Sequence, residues 1–216
     1  MSVRPITDLW ICARPKVKRY GSYPSGFLSR ARALLGVQIT SPVLHLPGGA
    51  IRDYPFYGLG PADKTVDLDE SVKPDFRFDV RKIGVNKGDI YPYPSGAMAG
   101  VGATGLVLAP YEYWSAVLID LPYTEVDAEE YAPGADAFPE IGAILKRALS
   151  LVPPGGRVGV LDYVVPRPPK DALFVALVGV STGFGQRMRA YSVFERPSEW
   201  SREASKRALK AVRGQK

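Results

Sequence analysis

Short apolar runs ending in acids or glycines punctuate the chain, and the pattern predicts its elements. Val43-Leu44-His45-Leu46 reads as a buried strand, followed at once by Pro47-Gly48-Gly49. Thr65-Val66-Asp67 and Phe76-Arg77-Phe78-Asp79-Val80 read as two more strands, each with an acid near its end. Val117-Leu118-Ile119 is a fourth, stopped by Asp120-Leu121-Pro122-Tyr123, where the proline cannot donate to a ladder. Arg157 to Leu161 is a fifth, entered through the turn Pro153-Pro154-Gly155-Gly156. Two late runs, 172–180 and 187–194, flank Gly183-Phe184-Gly185 and predict a closing hairpin.

Helical spacing alternates with these strands. Phe27, Leu28, Ala31, Leu34 and Leu35 share one face, which predicts a helix capped by Ser25 and stopped by Gly36, with Arg30 and Arg32 on its outer side. Phe138, Ile141, Leu145, Ala148 and Leu149 predict a second helix over 138–151. Residues 1–24 read as irregular and basic, and residues 82–115 form a Gly/Tyr/Pro-rich stretch that breaks the alternation. So long a stretch suggests a functional insertion, a lid or a small subdomain. Strands alternating with helices predict an α/β fold with a mainly parallel sheet, made mixed by the late hairpin.

With 216 residues and 46% apolar content, the chain can bury one sizeable core. No apolar run reaches the length of a membrane span, and the N-terminus lacks the apolar stretch of a signal peptide, so a soluble, cytoplasmic protein is expected. The single cysteine, Cys12, excludes an internal disulfide, and no Cys/His cluster points to a metal. The net charge of +6 is uneven: residues 1–32 carry seven Arg/Lys against one acid, and residues 197–216 carry six against two. Basic ends around a mildly acidic body suit a polyanion, and nucleic acid is the expected partner. Arg202, Lys206, Arg207 and Lys210, on a basic C-terminal helix beginning near Ser198, are the candidate phosphate contacts; the same helix could instead dock through Trp200 with its charges solvated.

Four strand ends in series carry Gly48-Gly49, Asp67, Asp79 and Asp120–Tyr123. That order resembles the class I S-adenosylmethionine-dependent methyltransferases. More narrowly it resembles the amino methyltransferases of DNA, whose fourth strand ends in Asp-Pro-Pro-Tyr. The resemblance covers roughly residues 20–195. It implies a Rossmann-like fold with a mainly parallel seven-stranded sheet, a C-terminal antiparallel hairpin and helices on both faces. It also implies one domain over 1–196 with the 82–115 insertion, then a basic segment over 197–216.

By the same resemblance, Gly48 and Gly49 would form the glycine loop beside the methionine part of S-adenosylmethionine, with Tyr23, His45 and Pro47 among the cofactor-binding residues. Asp67 would bind the ribose hydroxyls and Asp79 would lie near the adenine amino group, with Leu68 and Val80 beside them among the cofactor-binding residues. Asp120, Leu121, Pro122 and Tyr123 would form the catalytic motif. Asp120 and the Leu121 carbonyl would accept the two N–H bonds of an exocyclic amine, favouring a more nucleophilic nitrogen, while Tyr123 stacks on the base. A duplex substrate would need its base flipped out. No metal is required.

Three positions depart from the family pattern: Leu121 for a proline, His45 for an acid, and Ile51 for a second glycine. His45 itself reads as a buried, hydrogen-bonded core residue. The resulting expectation is methyl transfer to adenine N6 or cytosine N4, in DNA first, by a monomer or homodimer. RNA or a protein amide are alternative substrates. The three departures also fit a methyltransferase-fold nucleic-acid-binding module that has lost its cofactor.

Overall fold

The computed structural model describes residues 5–14, 23–53, 58–84, 90–92, 94–95, 98–100, 113–122, 140–170 and 172–198. Ten strands are formed among them: β1 (Ile6–Ile11), β2 (Val43–Leu46), β3 (Lys64–Asp67), β4 (Phe76–Arg77), β5 (Ile90–Pro92), β6 (Met98–Gly100), β7 (Ala116–Ile119), β8 (Arg157–Asp162), β9 (Leu173–Ser181) and β10 (Arg189–Glu195). The main sheet has eight strands in the order β1-β9-β10-β8-β7-β2-β3-β4. Only β10 runs antiparallel, against both β8 and β9. β5 and β6 form a separate two-stranded ribbon inside the 82–115 stretch.

Seven of the eight strands are those the sequence predicts. The eighth is β1, which pairs parallel to β9 at the sheet's edge, so residues 6–11 are strand and not irregular. β4 is shorter than predicted: it ends at Arg77, and Val80–Lys82 form a short 3-10 turn.

β2 and β7 are buried on both faces, which is why they read as continuous apolar runs. Two helices cover opposite faces. α1 (Phe27–Leu35) packs with Val43, Leu118, Val178 and Tyr191 on one side. α2 (Ile141–Leu151) packs with Leu44, Val117, Val158 and Phe194 on the other. α1 ends as predicted: Gly36 takes a left-handed conformation (φ 72°), and Gly36 N–H and Val37 N–H return to the carbonyls of Ala33 and Arg32. Its start differs. The N-cap is Gly26, not Ser25, and no side chain caps it.

Arg32 also departs from expectation, because it is buried and not on the outer side. It follows Leu28 by four residues and precedes Leu35 by three, so it shares their core-facing stripe. Among the described residues, no helix is long and apolar enough to cross a membrane.

Candidate functional site at the tips of β2 and β7

The chain leaves β2 toward β3 on one side, while β7 lies on the other, so the sheet's direction of growth reverses between them. In open α/β sheets, ligands bind at the C-terminal strand ends beside such a reversal. There the two tips are tied together: Asp120 N–H donates to the Leu46 carbonyl at 3.0 Å.

The β2 tip is shaped by close approach. The Leu46–Pro47 peptide is cis, and Gly48 follows. A Cβ at Gly48 would lie 2.4 Å from the Thr65 Cβ, so only glycine lets the loop cross β3. Gly48 N–H donates to the Val66 carbonyl at 2.8 Å. Gly49, at φ 49°, donates its N–H to Asp67 Oδ2 at 2.8 Å.

That bond joins two predicted site residues. Asp67 Oδ1 accepts in turn from Asp69 N–H at 3.0 Å. Both carboxylate oxygens are thus held by main-chain donors. Burial pushes the Asp67 carboxyl above the usual range, and the Asp69 and Gly49 amides pull it part of the way back. Leu68, beside it, is exposed.

Asp79 is engaged differently. It caps the 3-10 turn, accepting from Arg81 N–H at 2.8 Å, and pairs with the Arg81 guanidinium through Nε and NH2. Burial acts upward on its carboxyl, but the Arg81 bonds outweigh it and hold the group low. These contacts use much of the accepting capacity of the carboxylate.

Beneath the tips lies a buried polar chain. Tyr23 Oη is 3.2 Å from His45 Nδ1, and His45 Nε2 is 3.4 Å from Asp63 Oδ2. Arg32 NH1 contacts both Asp63 oxygens at 2.9 Å, and Arg32 NH2 donates to the carbonyls of Gln38, Ile39 and Ser41. Asp63 also accepts from the amides of Gly60 and Val43. Burial would raise its carboxyl, but the bonds from His45, Gly60 and Arg32 prevail and hold it below the usual range. Burial first, and then the negative charge of Asp120, push the Tyr23 hydroxyl well above the usual phenol range. Tyr23 is therefore a neutral donor.

This placement bears on two predicted cofactor contacts. His45 is 0% exposed and Tyr23 2%, so both support the loop from below and neither presents surface on it. The reading of His45 as a buried, hydrogen-bonded residue matches what is found. The carboxylate expected in the first strand of the family pattern is absent there, and Asp63, just before β3, supplies a buried one. From sequence Arg32 reads as outward-facing and Asp63 as ordinary, and the structure buries both as a pair. The available signal was the arginine's place on an apolar helical stripe, which demands a buried acid as partner.

Asp120 follows Leu118 by two residues, and so lies on the α1 face with His45, which pairs in register with Leu118. Leu121 is buried in the opposite core, and Pro122 is half-buried. Tyr123 lies outside the described residues, as do Arg202, Lys206, Arg207 and Lys210. Trp114, within the 82–115 stretch, is a core residue, fully buried, with its indole N–H on the Pro92 carbonyl at 3.0 Å. No group of three or more candidate metal ligands occurs among the described residues.

The geometry can be set beside known proteins. TrmN from Thermus thermophilus superposes with a TM-score of 0.51 at 18% identity, over 82% of this chain and 50% of that one. This is the Rossmann-like methyltransferase fold. The chain spans about half the length of TrmN. A putative methyltransferase, YhhF from Escherichia coli, aligns at 10% identity and a TM-score of 0.47, over 83% of this chain and 90% of that one. An rRNA methylase from Streptococcus thermophilus aligns at 13% and 0.43, over 82% and 100%. No protein-family model matches the chain, and no curated protein matches it in sequence. On this fold, the tips of β2, β3 and β7 carry Gly48-Gly49, Asp67 and Asp120.

Proposed function

We propose that this protein transfers the methyl group of S-adenosylmethionine to an exocyclic amino group of a nucleic-acid base, adenine N6 or cytosine N4, with DNA the first candidate and RNA the second. The observation that carries the reading is the placement of Asp120 at the β7 tip, tied to the β2 tip whose glycine loop is held by Asp67.

The residues present fit the cofactor. Asp67 is an oriented carboxylate that could accept from a ribose hydroxyl. Gly48 and Gly49 let the main chain pass close beside it. The cofactor supplies an activated electrophile, a methyl group on a sulfonium. The chain's own work is then to hold and polarise the amine. Asp120 would accept one amine N–H and stabilise the positive charge that develops on nitrogen, and the Leu121 carbonyl would accept the other. Tyr123 would stack on the base. The basic segment with Arg202, Lys206, Arg207 and Lys210 would hold phosphates.

The test is transfer of a labelled methyl group to single-stranded DNA, duplex DNA and structured RNA, with wild type and Asp120→Ala. Transfer to one of them, lost in the variant while cofactor affinity stays within about twofold, supports the assignment. No transfer to any by folded protein overturns the activity. Full transfer by Asp120→Ala overturns the role of Asp120. Stabilisation of the wild type by S-adenosylmethionine in thermal unfolding separates an enzyme from a module without cofactor.

A further inference from the structure

β8, β9 and β1 run parallel to β7, so the loops after β8 and β9 open on the same sheet edge as Asp120. The β8–β9 connection, residues 163–172, and hairpin residues 182–189 carry Arg167, Lys170, Arg187 and Arg189 against one acid, Asp171. Asp162, at their border, is turned inward on the main chain: its carboxylate accepts from the amides of Tyr163 and Val164, fixing the turn that presents those two side chains.

The same surface is apolar and aromatic. Phe184 stands at the tip of the β9–β10 hairpin, 106% exposed, while Val164 is 66% and Met188 59% exposed. Gly183 and Gly185 flank Phe184 at φ 126° and 69°. Nothing crowds either glycine, so they serve the backbone path that holds the ring out and not close packing. Arg187 reaches from the hairpin across to the β8–β9 loop, its guanidinium 5.7 Å from the Tyr163 ring. An arginine laid on one aromatic, with a second aromatic standing free nearby, is a stacking surface with its countercharge built in.

We propose that this platform, Tyr163 with Arg187 and Phe184 beside the β7 tip, binds single-stranded nucleic acid, the unpaired stretch flanking the reacting base. The inference deepens the proposed function and rests on it for the identity of the adjoining site. A single strand fits better than a duplex: exposed aromatic and aliphatic side chains gain by stacking on unpaired bases, whereas a duplex offers mainly phosphates, which these side chains cannot use. Arg167, Lys170 and Arg189 supply the backbone attraction.

The test is equilibrium binding of the full chain, without cofactor, to fluorescent mixed-sequence DNA and RNA single strands of about 16 nucleotides, and to a duplex of the same length. Phe184→Ala is expected to weaken single-strand binding about 10-fold, leaving its salt dependence unchanged. Arg187→Gln is expected to lower the salt slope by about 0.7. Phe184 has no packing to lose, so its variant keeps the fold. Single-strand affinity unchanged in Phe184→Ala, or a preference for duplex that survives it, overturns the proposal. So does Phe184-dependent binding to anionic phospholipid vesicles with no binding of the single strands. Because no transfer is measured, the outcome is separable from Asp120 chemistry: an inactive protein can still show the platform, and an active one can lack it.

Discussion

The Tyr23 hydroxyl lies 3.2 Å from Nδ1 of His45, and the imidazole is sealed from solvent. With Asp63 as an acceptor at the other ring nitrogen, a neutral imidazole would carry its proton on Nε2 and accept the Tyr23 O–H at Nδ1. Tyr23→Phe keeps the ring stacked on Phe27, at 5.4 Å between centroids, but leaves Nδ1 buried without a donor. The expected cost is about 1–3 kcal/mol of stability, read as a lower urea midpoint with an unchanged slope. His45 is the one histidine in the chain, so its ring nitrogens give a single pair of signals in a histidine-labelled sample. The Nδ1 resonance should move in Tyr23→Phe by more than that of Nε2.

Asp63 is the hub of the same chain, and removing its charge strands Arg32. The side chain is 5% exposed and, among the described residues, Asp63 is the carboxylate within ion-pair distance of it. Asp63→Asn is expected to cost about 3–5 kcal/mol, because a buried charge loses its partner. The pH dependence has a definite sign. The folded pKa of Asp63 is lowered, so its stabilisation is complete above the unfolded value of about 3.9 and is lost as pH falls through the lower folded value. Unfolding free energy measured from pH 7 down to pH 2 should therefore fall less steeply in Asp63→Asn than in wild type across that acid window.

This hub shows where the sequence is legible and where it is not. Val117-Leu118-Ile119 announces its strand because both faces are buried, and Asp120 announces its end. Gly36 stops α1 as read, since a left-handed terminus has few alternatives to glycine. β1 was hidden because it is an edge strand: Ile6, Leu9 and Ile11 stay exposed, Trp10 alone is buried within it, and basic residues surround it. The Arg32–Asp63 pair spans 31 positions, and no local pattern marks a contact that only folding creates. Asp63 itself sits in a turn after Pro61-Ala62, where an acid looks ordinary. The tips of β2, β3 and β7 could be ordered from sequence because each is local. The hydrogen bond from Gly49 to Asp67 could not, because it joins two strands across a loop.

Gly48→Ala tests the crossing of the loop over β3. The added Cβ would lie 2.4 Å from the Thr65 Cβ and 3.2 Å from its Cα, and neither can swing away as a flexible side-chain end would. The loop must shift, at a cost of about 1–3 kcal/mol typical of overpacking. For a chain of this size that is a fall in Tm of several degrees, at about 2–4 °C per kcal/mol. The shift also displaces Gly49 and its bond to Asp67. The thermal stabilisation given by S-adenosylmethionine should accordingly be lost or strongly reduced, more than the fall in Tm alone would produce.

Asp67→Asn separates the oriented carboxylate from the rest of the site. Both oxygens face main-chain donors, Gly49 N–H and Asp69 N–H, so whichever position the amide nitrogen takes, a donor meets a donor. The variant therefore loses one loop bond and one acceptor for a ribose hydroxyl together. Affinity for S-adenosylmethionine, measured by calorimetry, is expected to fall at least about 10-fold, the effect of losing one charge-assisted bond. Asp120→Asn, at the neighbouring tip, should leave that affinity near wild type. The wild type should also bind more weakly as pH falls, since protonation removes an acceptor. Because burial raises the Asp67 carboxyl, this weakening should begin at a higher pH than an ordinary aspartate would give, and Asp67→Asn should lack it. An affinity that is flat with pH in wild type, or unchanged in Asp67→Asn, would remove Asp67 from the cofactor site.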